Sequence, residues 1–399
     1  EDTIVEQVYK TLTAQTRHMT AVAEKPVTLM SGGLDSSAIG LVAKKECGAA
    51  KSVSTSFDFA NRTERETTYA TTMADHLGLE HEVYRTNARR YLSSIVRAIG
   101  VAETPLDHLQ SALLYDLFDH FRESGTDLYL SGHFADKLFA TDIQYAFARW
   151  QKIAPLLRSV GLEDSVKGLL RRLPGLPYSI RSMAQDFSTD SSNPHSYLWA
   201  MREFASRSVT SQALELDEHR AMQSRHELFD EYPSADFPTQ VFLVDALPNS
   251  IFGWSMLSES CGARLGSPFA STELSNYLMA LPWNVQYRKG KHYLKALLRR
   301  HGVPESLINR PKLGFGFPVQ YWALPDTLFQ PLVDMAGEMF DARLLASLQG
   351  SDRSRANLLW NLLNVYLWKK IFEQGADPDD LASELLRRHD HLQKRLHTA

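Results

Sequence analysis

Strand-like and helix-like segments alternate through the first 130 residues of this 399-residue chain. A short apolar strand is predicted at residues 26–30, and the helical segment after it ends at Gly48. Helix-length segments separate it from three further predicted strands at residues 51–57, 81–86 and 127–130. Such spacing allows the crossover connections of parallel pairing. We therefore predict an α/β fold, a twisted parallel sheet with helices on both faces.

Strand signals cease after about residue 150, and helical patterns follow at residues 196–207, 249–259 and 357–372. We predict a nucleotide-binding α/β region in residues 1–150 and a mainly helical region in residues 151–399. A basic segment with two prolines and a glycine, residues 171–178, predicts an exposed loop or lid, with a plain surface connector as the alternative.

The composition narrows the class of partner. The chain has 43 Lys and Arg residues against 47 Asp and Glu residues, a net charge of −4, so we expect no nucleic-acid partner. Its two cysteines, Cys47 and Cys261, are too few for a disulfide scaffold, which favours a reducing cytoplasm. No run of eighteen apolar residues and no signal-peptide core is present, so we expect no membrane association.

Residues 31–37, Ser-Gly-Gly-Leu-Asp-Ser-Ser, follow the first predicted strand and lead into its helix. Ligands of open parallel sheets bind beyond the carboxyl ends of the strands, where this loop is expected. The glycines let backbone amides approach an anion, the serine hydroxyls add donors, and the helix directs its positive end at the bound group. The loop is therefore predicted to bind phosphate, with a serine-rich helix cap as the alternative. It matches neither a Walker A loop nor a dinucleotide fingerprint.

Ser-Gly-Gly-Leu-Asp-Ser after a strand resembles the pyrophosphate loop of the N-type ATP pyrophosphatases, which include asparagine synthetases, NAD synthetases and tRNA thiolases. Residues 131–139, SGHFADKLF, are similar to the Ser-Gly-Glu-Gly-Ala-Asp-Glu-Leu-Phe segment of the asparagine synthetase C-terminal domain. Pro268-Phe269, Lys289-Gly290-Lys291 and residues 310–318 follow in that family's order. The resemblance implies an adenine nucleotide α-hydrolase-like fold that uses ATP and Mg²⁺, with catalytic lysines in residues 289–318.

The same resemblance implies which residues bind and react. Those expected to bind ATP are Leu29, Ser31, Gly32, Gly33, Asp35, Ser36, Ser56, Gly132 and Lys291. Asp35 and Asp136 are expected to hold Mg²⁺, and Lys291 to neutralise the departing pyrophosphate. Lys312 is expected to be catalytic by stabilising the oxyanion of the acyl intermediate. Glu103 matches a catalytic position beside the acceptor substrate, with a solvated surface acid as the alternative.

Several residues depart from the family pattern. His133 replaces Glu, Phe134 replaces Gly, Lys137 replaces Glu, and Ala140-Thr141 replaces Gly-Gly. A neutral imidazole accepts a proton from an amine near pH 7, so His133 is predicted to be a catalytic general base; a structural histidine is the alternative. A Gly-His pair here is similar to the lasso-peptide macrolactam synthetases, and β-lactam synthetases also replace the Glu. Ser271 replaces the family's Asp after Pro-Phe-Leu, which weakens an aspartate-specific interpretation.

We therefore predict an ATP-dependent, AMP-forming synthetase that adenylates a carboxylate and transfers the acyl group to an amine. We favour a specialised biosynthetic ligase or macrolactam cyclase acting on a small-molecule or peptide carboxylate and an amine. One alternative is an asparagine synthetase whose glutaminase domain is missing or on another chain. A second is a catalytically inactive homologue that acts as a binding protein. A tRNA-thiolating enzyme would need catalytic cysteines and a basic surface, which the composition does not provide.

The source of the amine depends on what precedes Glu1. Asparagine synthetases carry an N-terminal glutaminase domain whose catalytic Cys is the first residue, whereas thirty residues precede the loop here, and Cys47 and Cys261 are both internal. The chain has no initiator Met, so we interpret Glu1 as a processed or truncated start. An amine used directly, ammonia from a preceding domain or partner protein, and a domain lost by cleavage all remain open.

Overall fold

A computed structural model describes residues 1–58, 64–106, 108–139, 155–172, 250–288, 290–310 and 319–398, together with residues 153 and 227. Contacts within the chain define two compact units. One, which we call the sheet unit, is formed by Leu12–Gly132, Ser250–Pro268 and Leu298–Ala399. The other, which we call the lysine unit after Lys291, is formed by Glu1–Thr11, the described part of His133–Asn249, and Phe269–Leu297.

The sheet unit contains a five-stranded sheet in the order β3-β2-β1-β4-β5, and every neighbouring pair of strands is parallel. The strands are β1 (Pro26–Leu29), β2 (Lys51–Phe57), β3 (Glu80–Thr86), β4 (Leu128–Leu130) and β5 (Arg264–Gly266). The predicted α/β fold with a parallel sheet is therefore confirmed. The first four strands lie where the alternating sequence pattern predicts them.

The fifth strand contradicts the expectation that no strand follows residue 150. β5 pairs in parallel with β4, with Leu128 opposite Arg264 and Leu130 opposite Gly266. A strand of three residues is too short to show the alternation that identifies strands in a sequence. Its pairing with a neighbour is what defines it.

The helices fall into two groups along the chain. The first 140 residues contain α1 (Asp2–Thr20), α2 (Leu34–Cys47), α3 (Glu64–Leu77), α4 (Ala88–Ala102), α5 (Leu109–His120) and α6 (Ala135–Phe139). The described part of the remaining chain contains α7 (Glu163–Arg172), α8 (Ser250–Ser260), α9 (Thr272–Met279), α10 (Trp283–Gln286), α11 (His292–Arg300), α12 (Glu305–Ile308), α13 (Val319–Trp322), α14 (Gln330–Ala336), α15 (Ala342–Leu348), α16 (Arg353–Phe372) and α17 (Pro378–Thr398).

The mainly helical C-terminal half is confirmed by these elements. The helices predicted at residues 249–259 and 357–372 correspond to α8 and α16. The predicted helix at residues 196–207 lies outside the described residues, and so does most of the predicted loop at residues 171–178. Among the helices that the structure describes, none combines the length and the apolar character needed to cross a membrane.

The order of the strands places a switch point between β1 and β4. The connections from β1 to β2 and from β2 to β3 run in one direction across the sheet, and the connection from β3 to β4 runs back past β1. Because such crossovers are right-handed, α2 and α3 cover one face, and α4 and α5 cover the other. Ligands of doubly wound sheets bind beyond the carboxyl ends of the strands at this point. The loops after β1 and β4 contain Ser31 and Ser131 respectively, as the phosphate-binding hypothesis requires.

Asp116, on α5, is a charged residue buried in the sheet unit. The carboxylate of Asp116 accepts a hydrogen bond from the Tyr84 hydroxyl at 2.6 Å and one from Arg90 Nε at 3.0 Å. A buried carboxylate needs such partners because removal from water is costly. Asp116 is thus explained as a structural acid that joins α5 to β3 and α4.

Candidate active site

The loop after β1, which we call the phosphate loop (Ser31–Ser36), is held by hydrogen bonds among its own residues. Ser36 Oγ accepts a hydrogen bond from Ser31 N at 3.1 Å, lies 3.0 Å from Ser31 Oγ, and donates to Gly33 O at 3.2 Å. Ser31 Oγ in turn accepts from Gly33 N at 3.3 Å. The two hydroxyls that were predicted as donors to an anion therefore maintain the curvature of the loop.

The glycines of the phosphate loop have separate roles. Gly32 has a φ of +66°, and a Cβ there would lie 2.7 Å from the carbonyl carbon and oxygen of Tyr69 on α3. Gly33 is the N-cap of α2 and carries no side chain that could accept from its first amide groups. The first amides of an α-helix have no acceptor within the helix, and such amides are the donors that helix N-termini use to bind anions.

The loop after β4 contacts the start of α2 through Gly132. A Cβ at Gly132 would lie 2.5 Å from the backbone nitrogen of Ser36 and 2.6 Å from the carbonyl carbon of Asp35. The structure therefore brings together three of the residues predicted to bind ATP, on loops that leave β1 and β4. Gly132 therefore packs directly against the backbone at the start of α2, and this packing positions a helix N-terminus, a common binding site for phosphate.

Arg310, to which the sequence alone assigned no role, also contacts the phosphate loop. Arg310 Nε donates to Gly32 O at 2.8 Å, and Arg310 Nη2 donates to Ser31 O at 3.2 Å. Its guanidinium carbon lies 4.6 Å from the centre of the Tyr69 ring. Its sequence signal was its place in the motif at residues 310–318, in which the resemblance assigns the catalytic role to Lys312.

Glu66, on α3, is a second residue that the sequence analysis missed. Burial raises the pKa of its carboxyl group to about 7, and the positive charge of Arg310 acts in the opposite direction. Burial also lowers the pKa of Arg310. An acid that titrates near neutral pH thus faces the arginine that contacts the phosphate loop.

Leu29 and Ser56, two of the residues predicted to bind ATP, lie on neighbouring strands. Leu29 ends β1, and Met30 N continues the pairing by donating to Val53 O at 2.8 Å. Ser56 is buried on β2, and its hydroxyl accepts a hydrogen bond from Arg85 at 3.5 Å. Both residues stand near the carboxyl end of the sheet, where the prediction places the nucleotide.

Glu103 occupies the C-cap of α4 with a φ of 55°. Its backbone nitrogen donates to Ile99 O at 3.0 Å, and its carbonyl oxygen accepts from Trp368 Nε1 at 3.0 Å. The side chain is exposed, and among the described residues no hydrogen bond joins it to the phosphate loop. The backbone therefore ends a helix here, and a role for the carboxylate stays a prediction.

The lysine unit brings two predicted site residues into direct contact. Lys291 Nζ lies 2.6 Å from Asp136 Oδ1. Asp136 lies in the first turn of α6, and Lys291 immediately precedes α11. Lys291 is buried and has a φ of 56°, unusual for a residue with a side chain. The lysine predicted to meet pyrophosphate is thus held in a defined position by a carboxylate predicted to bind Mg²⁺.

Asp35 and Asp136 belong to different units, so a magnesium ion shared between them stays a prediction. Within the described residues, no group of three or more His, Cys, Asp or Glu side chains is placed to hold a metal ion. Mg²⁺ in phosphoryl-transfer sites is held by one or two carboxylates together with substrate phosphates and water.

His133, in the loop before α6, carries a perturbed imidazole. Burial lowers the pKa of His133 to about 4, the nearby charge of Lys137 acts in the same direction, and Asp136 opposes them. The imidazole is therefore neutral at pH 7, as the base hypothesis requires, although so low a pKa makes it a weak base. An anionic substrate beside it would raise the pKa.

Phe134, which replaces a glycine of the family pattern, has a φ of 79° and is buried. That backbone conformation is one that glycine adopts without strain and that side chains disfavour. The chain has therefore changed the residue and kept the glycine-like conformation. Strained backbone persists where the surrounding structure imposes it, which occurs often at functional sites.

Ser271, which replaces the aspartate of the family pattern, has a local structural role. Its hydroxyl oxygen accepts a hydrogen bond from Leu274 N at 3.1 Å and caps α9. Aspartate caps helices equally well, so this exchange preserves the cap. The adjacent Phe269 is fully buried and packs edge-on against Phe139, with 6.0 Å between the ring centres. Lys289 and Lys312 lie outside the described residues.

Comparison with known protein families agrees with these elements. A family model described as asparagine synthase matches residues 7–370, which include the phosphate loop, His133, Lys291 and Arg310. Members of that family are ATP-dependent ligases that form carbon–nitrogen bonds. No curated protein gave a significant match. Because the family model matches most of the chain, this protein belongs to the asparagine synthase family.

Proposed function

We propose that this chain is an AMP-forming amide-bond synthetase, which converts a carboxylate into an acyl-adenylate and transfers the acyl group to an amine. The phosphate loop is the observation that carries the proposal. It lies beyond β1 at the switch point of the sheet, and both Gly32 and Gly132 make backbone approaches that a Cβ would prevent. This packing holds the N-terminus of α2 beyond the carboxyl end of the sheet, where α/β proteins bind the phosphates of nucleotides.

The reaction proceeds in two steps because a free carboxylate is a poor acyl donor. A carboxylate oxygen attacks the α-phosphorus of ATP, the α,β-phosphoanhydride bond breaks, and pyrophosphate leaves. The amine nitrogen then attacks the acyl carbon, loses a proton, and expels AMP with the electrons of the broken C–O bond. Amide and AMP are the products.

Several residues are assigned roles in this reaction. The phosphate loop holds the phosphates, and Lys291 neutralises the charge that develops on pyrophosphate. Lys312 stabilises the oxyanion of the second step. Asp35 and Asp136 would each offer a carboxylate to Mg²⁺, which would supply further charge neutralisation at the phosphates.

We further propose a specialised ligase or macrolactam cyclase that acts on a small-molecule or peptide substrate in the cytoplasm. His133 supports this finer assignment because a neutral imidazole stands where the family pattern has a carboxylate. Conversion of aspartate to asparagine is equally compatible with the family match. In that case a separate domain or partner protein would deliver ammonia.

The proposal is tested by carboxylate-dependent exchange of labelled pyrophosphate into ATP, across a panel of amino acids and peptides. We expect exchange with at least one carboxylate and AMP, not ADP, as the nucleotide product. ADP would overturn the adenylate mechanism. Exchange with aspartate alone, followed by asparagine formation from ammonia, would favour the asparagine synthetase alternative. ATP binding without exchange would favour the inactive homologue.

His133→Ala tests the role of the imidazole. We expect normal pyrophosphate exchange and amide formation slowed by about 100-fold, because a general base acts only in the second step. His18→Ala, which alters an exposed histidine on α1, is the matched control. A collapse of exchange itself would show that His133 acts in adenylation or in structure.

A further inference from the structure

Arg310 makes the long-range side-chain contacts to the carbonyl oxygens of the phosphate loop. Its Nε donates to Gly32 O at 2.8 Å, and its Nη2 donates to Ser31 O at 3.2 Å. One planar guanidinium group therefore binds two consecutive peptide carbonyls. Arginine supplies this fork of donors, and the single ammonium of a lysine does not reproduce its planar geometry.

The two contacts determine which way the amides of the loop point. In a trans peptide the C=O and N–H bonds lie on opposite sides of the chain. The peptide units that direct their oxygens toward Arg310 therefore direct the N–H groups of Gly32 and Gly33 away from it. Gly33 N donates to Ser31 Oγ at 3.3 Å, so the Gly32 N–H is the amide that this orientation directs toward an anion.

The side chain of Arg310 is itself held in place. Its guanidinium carbon lies 4.6 Å from the centre of the Tyr69 ring, a cation–π distance. The backbone of Tyr69 also makes the close approach to Gly32. The ring and the backbone of the same residue thus support the arginine and the loop that it contacts.

We infer that Arg310 is a positioning residue that holds the carbonyl oxygens of Ser31 and Gly32 so that the Gly32 amide and the start of α2 face the β- and γ-phosphates of ATP. This inference rests on the proposed function, since it assigns the phosphate end of the nucleotide to this loop. The positive charge of Arg310 also favours the anion without direct contact. Nucleotides that lack the β- and γ-phosphates gain nothing from this arrangement.

The test is to measure binding of ATP with Mg²⁺, inorganic pyrophosphate with Mg²⁺, and AMP by isothermal titration calorimetry. For Arg310→Lys we expect affinity for ATP and pyrophosphate to fall by about tenfold, the effect of one lost charge-assisted hydrogen bond, with AMP unchanged. The matched control is Arg264→Lys. Arg264 is an exposed arginine on β5, and it donates a hydrogen bond to Val22 O at 2.9 Å. We expect the control to bind all three ligands normally.

Tyr69→Leu provides a second variant that leaves the arginine present. Loss of the ring beneath the guanidinium is expected to weaken ATP and pyrophosphate binding by about threefold, again without an effect on AMP. Hydrogen exchange supplies a readout without ligand. The amides of residues 32–36 are expected to exchange faster in both variants than in the wild-type chain and the Arg264→Lys control.

Two results would overturn the inference: unchanged affinity for ATP and pyrophosphate in both variants, or equal losses for all three ligands. The second result would show general disruption of the fold. Wild-type protein that binds neither ATP nor pyrophosphate would instead overturn the proposed function, and the inference with it. Normal wild-type binding without pyrophosphate exchange separates the two, because it removes the synthetase assignment and leaves the role of Arg310 measurable.

Discussion

The phosphate loop of the sheet unit and the Lys291–Asp136 pair of the lysine unit are built in different ways. In the phosphate loop, Ser31 and Ser36 lie five residues apart and bond to each other, so neighbours in the sequence create most of the geometry. The Lys291–Asp136 pair joins segments that are distant in the sequence, through one ion pair of 2.6 Å. The first arrangement is local, and the second depends on how the lysine unit folds.

This difference explains how each region was recognised. The phosphate loop has a local pattern of glycines and serines after a strand, and the prediction that it binds phosphate rests on that pattern. Neither Lys291 nor Asp136 has a local signal, and each alone is indistinguishable from a surface charge. Their roles were inferred only from a resemblance. We therefore expect the phosphate loop to be most sensitive to changes in its backbone. We expect the Lys291–Asp136 pair to be most sensitive to loss of the contact between its two side chains.

The largest effect is expected from Gly32→Ala. The new Cβ would meet the Tyr69 backbone at 2.7 Å, and the residue would have to keep a φ of +66°. We expect the free energy of unfolding to fall by about 3 kcal/mol, from a steric clash and an unfavourable backbone. Urea denaturation measures it.

Gly48→Ala separates the two contributions. Gly48 has a φ of +70°, and a Cβ there would meet no atom within 4 Å. Only the conformational cost applies, about 1 kcal/mol. Equal losses in Gly32→Ala and Gly48→Ala would show that close backbone packing contributes nothing to the phosphate loop.

Glu66→Gln is expected to change how stability depends on pH. The pKa of Glu66 is raised from 4.5 to about 7, so the folded chain holds a proton that the unfolded chain releases between these values. Stability contributed by this group is complete below pH 4.5, falls as pH rises, and is lost above pH 7. Gln removes the dependence, so the variant should gain up to about 3 kcal/mol relative to wild type between pH 4.5 and 8.

Urea denaturation at pH 4.5, 6 and 8 measures the Glu66 effect, with Glu24→Gln as an exposed control. A stability difference between wild type and Glu66→Gln that stays constant across this range would contradict the burial of the carboxyl group. The pH dependence thus measures a contribution from α3 to the surroundings of the phosphate loop, whose own hydrogen bonds are mostly local.

A double-mutant cycle on Asp136→Asn and Lys291→Met measures the Lys291–Asp136 pair. The lysine side chain is 10% exposed and the aspartate side chain 43%, so the pair is intermediate between buried and surface cases. We expect a coupling energy of about 1–2 kcal/mol in the free energy of unfolding. Additive losses from the two substitutions would show that the ion pair is not a stabilising contact and that the comparison overstates it.

The smallest effect is expected at Ser271, a local feature within the lysine unit. Ser271→Ala removes the acceptor for Leu274 N and should cost about 1 kcal/mol. Ser271→Asp should preserve stability because aspartate also caps helices. A large loss in Ser271→Asp would show that the position is used for something other than the cap, and thermal unfolding of both variants decides this.

Most of the sheet unit could be predicted because its signals are local. β1 to β4 and their helices show period and turn residues within ten to fifteen residues, and β2 was placed at its exact bounds. β5 was missed because three residues carry no period, and only pairing with β4 defines it. Of the candidate site, the loop and Gly132 could be predicted. The contacts of Arg310 could not be predicted, because its partners Ser31 and Gly32 lie 279 and 278 residues away in the sequence.

By itself, the sequence determined the parallel α/β fold, the position of the phosphate loop and the family to which the chain belongs. These follow from hydrophobic period, from glycine and serine at fixed positions, and from the order of the motifs. Only the tertiary structure decided that Arg310 binds the carbonyl oxygens of the loop, that Lys291 pairs with Asp136, and that burial lowers the pKa of His133. The physical reason is that hydrogen bonds, ion pairs and desolvation depend on distances in space between residues far apart in the chain.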